Sequence, residues 1–142
     1  MSVPLTTEAE MKKHVRAIAR IDPAFAPIIK SSPLCTINRK RPTRGHYETL
    51  VTSIISQQLA VKAADTIRDR LRILAGGSLT PEALADLDAV ALRTVGVSGA
   101  KARAIAELTE ATLSGSLEFA KFSKLSNSEI SAELTSLWGI GR

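Results

Sequence analysis

Residues 47–74 read YETLVTSIISQQLAVKAADTIRDRLRIL, two apolar periodic runs with a polar break between them. In the first run Tyr47, Leu50, Val51, Ile54 and Ile55 follow the i, i+3, i+4, i+7, i+8 rule of an amphipathic helix. In the second, Ala60, Ala63, Ala64, Ile67, Leu71 and Leu74 follow the same rule, and the alanines leave room for a close neighbour. Ser56-Gln57-Gln58-Leu59 interrupts the pattern, and Gly76-Gly77 ends it. The spacing predicts helices over 46–56 and 60–75 packed on each other, with Ile54, Ile55, Ala63, Ala64 and Ile67 buried.

Helical signals continue outward on both sides. Upstream, Met11, Val15 and Ile18 share a face, with Thr7 and Glu10 spaced for a capping box. Asp22-Pro23 reads as an N-cap and first helical residue, ahead of Phe25, Ile28 and Ile29. Ser31 to Gly45 has no period and reads as a connecting loop. Downstream, Thr80-Pro81-Glu82 opens a short helix and Asp88 caps the next. Gly96 to Gly99 reads as a turn before a helix from Lys101 to Leu113, with Ala104, Ile105, Leu108 and Thr112 inward and Gly115 at its end. Ser126 and Glu129 form a second capping box before Ile130, Leu134 and Leu137. No segment alternates as a strand must. The expected class is all-α, as a single helical domain over 1–142.

Composition narrows the function classes. No apolar run is long enough to span a membrane, and MSVPLTTEAE has neither a basic start nor an apolar core like a signal peptide. Cys35 is the single cysteine, and alone it can form neither an internal disulfide nor a cysteine-ligated cluster within these residues. An intracellular protein is expected. The net charge of +5 is uneven: no acid lies between Asp22 and Glu48, a stretch that holds Lys30, Arg39, Lys40, Arg41 and Arg44. Such a field attracts polyanions, nucleic acid among them, although a solvated loop has the same composition.

The chain closes on Leu137-Trp138-Gly139-Ile140-Gly141-Arg142. Two glycines around an apolar residue, directly after a capped helix, permit left-handed backbone and leave no side chain in the way. Such a turn aims backbone N–H groups outward as an anion nest suited to a DNA phosphate, with Ile140 as an inward pin. A plain glycine C-cap is the alternative from the residues alone.

Three blocks together carry a resemblance. Tyr47 to Ala64, Val95 to Ala106 (VGVSGAKARAIA) and Leu137 to Arg142 occur in the order found in the 3-methyladenine glycosylase II family of helix-hairpin-helix base-excision DNA glycosylases, which the chain resembles from about Ile21 to Arg142. The fold implied is the helix-hairpin-helix glycosylase fold, ending inside the hairpin at 137–142. The resemblance places Gln57, Gln58 and Leu59 in the loop that probes the duplex, with Gln58 filling the gap left by an extruded base. It places Gly139, Ile140, Gly141 and Arg142 in the DNA-binding hairpin, and Lys62 beside a phosphate. Without it, Gln57 and Gln58 read as a polar break and Lys62 as part of a solvated face. Trp138 and Tyr47 are candidate pocket walls, Tyr47 better suited to core packing. Ala60 stands where a serine is common in the family, which removes a helix cap or a phosphate donor.

The implied reaction is removal of an alkylated purine such as 3-methyladenine from double-stranded DNA. A carboxylate stabilises the cationic sugar as the N-glycosidic bond breaks, and neither metal nor organic cofactor takes part. The family's catalytic aspartate is expected beyond Arg142, so no catalytic residue is assigned among the fourteen carboxylates of this chain. The chain alone is therefore expected to be inactive, with the face of Ile130, Leu134 and Leu137 exposed or leaning on another chain, while the intact enzyme works as a monomer. Three alternatives stand: an endonuclease III-type glycosylase/lyase, a non-catalytic helix-hairpin-helix DNA-binding module, and a helical bundle without a ligand.

Overall fold

The computed structural model describes residues 6–36 and 44–141, and these form helices and connecting turns without a strand. The chain divides into two compact units, Met1–Thr43 and Arg44–Arg142. Arg39, Lys40 and Arg41 of the basic stretch, and Arg142, lie outside the described residues.

The first unit holds α1 (Glu8–Ile21) and α2 (Phe25–Ser31), which pack on each other. The capping box forms as expected: Thr7 Oγ1 accepts from the Glu10 N–H at 3.2 Å, and Thr7 N–H donates to Glu10 Oε2 at 2.7 Å. That backbone hydrogen bond holds the Glu10 carboxyl below its ordinary range. Met11 and Val15 are half-buried, but Ile18 stays exposed, so the apolar stripe is narrower than its spacing suggests. Asp22 is not an N-cap. It terminates α1, its N–H donating to Ile18 O, and its carboxylate accepts the Ala24 N–H at 2.9 Å. The side chain closes a turn in which Phe25 N–H bonds Asp22 O at 3.2 Å and Ala26 N–H bonds Pro23 O at 3.0 Å, and α2 starts after it.

The second unit holds α3 (His46–Ser56), α4 (Val61–Leu74), α5 (Pro81–Ala85), α6 (Ala89–Thr94), α7 (Gly99–Leu113), a 3₁₀ turn (Phe119–Lys124) and α8 (Asn127–Thr135). Thr80, Asp88 and Ser126 cap α5, α6 and α8 as their positions foretell. Helix α7 is the hub, packed against α3, α5 and α6, while α3 also meets α4. Burial on several sides explains its alanines: Ala102, Ala104 and Ala111 are buried with Ile105 and Leu108. Thr109, rather than Thr112, is the buried threonine, and Thr112 is half-buried. The helix begins at Gly99, two residues before the expected start, because Ser98 caps it by accepting the Lys101 N–H. Gly96 has φ 98°, and a Cβ there would lie 3.2 Å from Ile67 Cγ1, so the turn before α7 tolerates only glycine without strain.

The expected pairing of α3 and α4 is present, with Ile54, Ile55 and Ala64 buried and Ile67 packed on the core. Ala63 is exposed. Ala64, Ile67 and Leu71 centre the buried stripe of α4, and Ala63 sits about 100° round from Ala64 on its flank. The last helix differs from expectation too. No residue of α8 is fully buried, yet Leu134, Leu137 and Ile140 pack against the core of this unit, which covers the face expected to be bare.

Tyr47 confirms core packing over a pocket wall. It is 6% exposed, and its hydroxyl lies 2.7 Å from Thr109 Oγ1. The Thr109 hydroxyl has one proton and donates it to Ile105 O at 2.6 Å, so the Tyr47 phenol must be the donor in the pair. Burial pushes this phenol up to about 12, and the Glu82 carboxylate acts in the same direction. An unfolded tyrosine loses its proton near pH 10. Below that pH the contribution to stability is complete, and it is lost as pH rises to the folded value. Between about pH 9 and pH 12 we predict that the wild-type chain loses about 2–3 kcal/mol more stability than Tyr47→Phe, measured by urea unfolding. Equal losses would contradict this account of Tyr47.

Candidate nucleic-acid interface

Helix α3 leaves its last carbonyls without helical partners, as every helix does. The Lys101 ammonium, in the first turn of α7, donates to two carbonyls at this end: Ile55 O at 2.7 Å and Gln57 O at 2.9 Å. The chain turns sharply there. Gln57 N–H bonds Ile54 O at 3.3 Å and Leu59 N–H bonds Ser56 O at 3.2 Å. Gln58 has φ 54°, the one described non-glycine residue on the positive side. A left-handed residue with a side chain costs about 1–2 kcal/mol, so the turn needs outside support. Leu59 is 39% exposed. Ala60 opens α4 with no side-chain cap, as the missing serine implies. Lys62 is exposed in the first turn of α4.

The second wall is the glycine hairpin. Gly139 adopts φ 82°, and a Cβ on it would lie 2.7 Å from the Cβ of Ala104. That is closer than two carbons approach, so glycine at 139 and a small residue at 104 set the seat of the hairpin on α7. Gly141 differs from Gly139: its φ is outside the left-handed region, and a Cβ there would meet open space. Ile140 turns toward the core as the expected pin. Trp138 is fixed from two directions. Its backbone N–H donates to Glu107 Oε2 at 3.1 Å, and the Arg103 guanidinium lies 4.5 Å from its ring centre. Arg103 Nε in turn pairs with Glu107 Oε1 at 3.1 Å.

The two walls are joined directly. Gln57 Nε2 donates to Gly139 O at 3.0 Å across 82 positions of sequence. Between them lies a cleft of about 430 Å³, lined by Gln57, Gln58, Ser98, Ala100, Lys101, Ala104, Trp138 and Gly139. Its lining carries one cation, two amides, a hydroxyl and an indole, and no carboxylate. The structure thus brings Gln57, Gln58 and Gly139 to one cleft, with Trp138 at the same wall. Leu59, Ile140, Gly141 and Lys62 are not in its lining. Among the described residues no group of His, Cys, Asp or Glu gathers that could hold a metal ion, and no helix is long and apolar enough to cross a membrane.

Sequence reasoning missed Lys101, Arg103 and Glu107 as builders of this cleft. For Lys101 a signal existed. It is a cation at the third residue of α7, where the helix dipole disfavours positive charge. A lysine placed against that dipole points to a partner elsewhere, here the carbonyl end of α3.

Comparison with known proteins follows the same geometry. Residues 51–138 match the family model described as HhH-GPD superfamily base excision DNA repair protein. DNA-3-methyladenine glycosylase 1 of Schizosaccharomyces pombe is 36% identical over 108 residues, which are 74% of this chain and 47% of that protein. A crystal structure of DNA-3-methyladenine glycosidase from Bacillus halodurans superposes with a TM-score of 0.69 at 33% identity, over 89% of this chain and 58% of the other. The Schizosaccharomyces pombe 3-methyladenine DNA glycosylase in complex with abasic DNA superposes with a TM-score of 0.64 at 36% identity, over 72% of this chain and 53% of the other. The chain spans about half the length of these relatives. With the family model covering more than half of its residues, and helices in the arrangement of these glycosylases, the chain belongs to the HhH-GPD superfamily of base excision DNA repair proteins.

Proposed function

We propose that this chain forms the duplex-probing and backbone-gripping part of a DNA N-glycosylase that removes alkylated purines, 3-methyladenine among them, from double-stranded DNA in the cell. The observation that carries the proposal is the bond from Gln57 to Gly139 O, which holds the probing loop and the hairpin on one cleft. In this reading Gln58 enters the base stack where a nucleotide has been turned out, and so offsets part of the unstacking cost of a few kcal/mol. The hairpin's backbone N–H groups and Lys62 take phosphates, which position the protein and read no sequence. Open space around Gly141 leaves the backbone there accessible to a phosphate.

Chemistry on the base requires a carboxylate beside the sugar as positive charge develops. The cleft lining has none. Glu107, which holds the backbone of Trp138 at the cleft wall, is already engaged with the backbone N–H of Trp138 and with Arg103. The catalytic carboxylate in this proposal therefore comes from outside the cleft lining, and alkylation itself supplies part of the activation by making the base a better leaving group. Working as a monomer and needing neither metal nor organic cofactor belong to the same proposal.

Fluorescence anisotropy with two duplexes, one intact and one with a tetrahydrofuran abasic site, tests the binding half. We predict preference for the abasic duplex, and a loss of about tenfold in that preference for Gln58→Ala. Gly139→Ala should weaken binding to both duplexes and reduce the salt slope by about one. Equal affinity for the two duplexes in wild type would refute the probing role.

The catalytic half has its own test. The 142-residue chain, incubated with methylated DNA, should bind and release no free 3-methyladenine above background, measured by chromatography of the soluble fraction. Release at an enzymatic rate would mean that one of the fourteen carboxylates of this chain acts on the sugar.

A further inference from the structure

Lys101 lies in the cleft lining, but its ammonium is committed mainly to the protein. Of its three N–H donors, two are spent on Ile55 O and Gln57 O. The Gln57 carbonyl belongs to the peptide unit that joins Gln57 to Gln58. Rotation of that unit changes ψ of Gln57 and φ of Gln58 together. Gln58 is the residue with φ 54°. Pinning the Gln57 oxygen therefore pins the conformation that a glutamine would leave if free to do so. The second bond, to Ile55 O, ties the same ammonium to the rigid end of α3. Its charge is stabilised there by the negative end of the helix dipole.

We propose that Lys101 is a positioning residue for the probing loop: its ammonium, held between the carbonyls of Ile55 and Gln57, fixes the left-handed turn that presents Gln58 at the cleft. The proposal rests on the duplex-probing reading above and adds to it the part that sets the probe. The contrasting role for a cleft lysine is a phosphate contact. A phosphate contact strengthens binding to any duplex and depends on charge. A positioning residue affects only the complex in which Gln58 is inserted, and depends on N–H donors.

The test compares wild type, Lys101→Met, Lys101→Gln and Gln58→Ala on the intact duplex and the tetrahydrofuran duplex, with thermal melts of each variant. Lys101→Met keeps the aliphatic stem and removes the donors. It is expected to lower the preference for the abasic duplex about tenfold, as loss of a charge-assisted hydrogen bond would, any loss of affinity for intact DNA being smaller than the loss on the abasic duplex. Lys101→Gln is neutral, keeps N–H donors and is one atom shorter. Its preference is expected between wild type and the methionine variant. Equal weakening on both duplexes, with no recovery in the glutamine variant, would overturn the proposal in favour of a phosphate contact. So would a full preference in Lys101→Met alongside a lost preference in Gln58→Ala. If Gln58→Ala itself keeps the preference, the probing reading fails first, and the proposal fails with it. Should Lys101→Met not fold, Lys101→Leu, which also lacks the donors, takes its place, and an unchanged preference there overturns the proposal.

Discussion

The close approach of Gly139 to Ala104 is the constraint on which the cleft depends. With only 2.7 Å available between Ala104 Cβ and any Cβ at position 139, the hairpin seats on α7 because neither residue has anything to remove. From that seat the other contacts follow. The Gly139 carbonyl comes within reach of Gln57, the Trp138 backbone N–H meets Glu107, and the indole lies over Arg103. Helix α7 can serve as the base for this because it is held by α3, α5 and α6. Its buried Ile105 and Leu108 each contribute on the order of 1.5–3 kcal/mol by leaving water. A hub anchored at that level does not shift to accommodate a hairpin; the hairpin has to fit the hub.

Helix ends, rather than helix faces, carry the polar features of the cleft. The carbonyl end of α3 attracts Lys101, and the start of α7 supplies it. Strain is localised at one residue, Gln58, at about 1–2 kcal/mol. A hydrogen bond from a charged donor contributes about 1.5–3 kcal/mol, and Lys101 makes two at this turn. The support thus exceeds the strain, which is why a glutamine can occupy a place that glycine usually takes.

Most of the fold was legible in the sequence because its helices are amphipathic and carry their own caps. Asp88, Thr80 and Ser126 mark helix starts by a local hydrogen bond, which depends only on neighbours in the chain. Burial was legible to within the width of a stripe, so Ala63 was placed inward when it lies at the flank. Asp22 misled because its carboxylate closes a turn at Ala24 that precedes α2 and does not cap the helix itself. The cleft was legible only through resemblance, which brought Gln57, Gln58 and Gly139 together without saying how. The contacts that unite them span 44 to 82 positions, and no periodicity records such distances. Lys101 broke the dipole rule for its helix, and that conflict between local preference and placement was the available trace.

Hydrogen–deuterium exchange of this chain, alone and with a duplex containing a tetrahydrofuran abasic site, tests the central claim most directly. If the cleft between the Gln57–Gln58 turn and the glycine hairpin is the DNA-reading end of a base excision glycosylase, added DNA will slow exchange at residues 56–60 and 137–141. Exchange in α5 and α6 will stay unchanged. Protection confined to α5 and α6, with none at the turn or the hairpin, would contradict it.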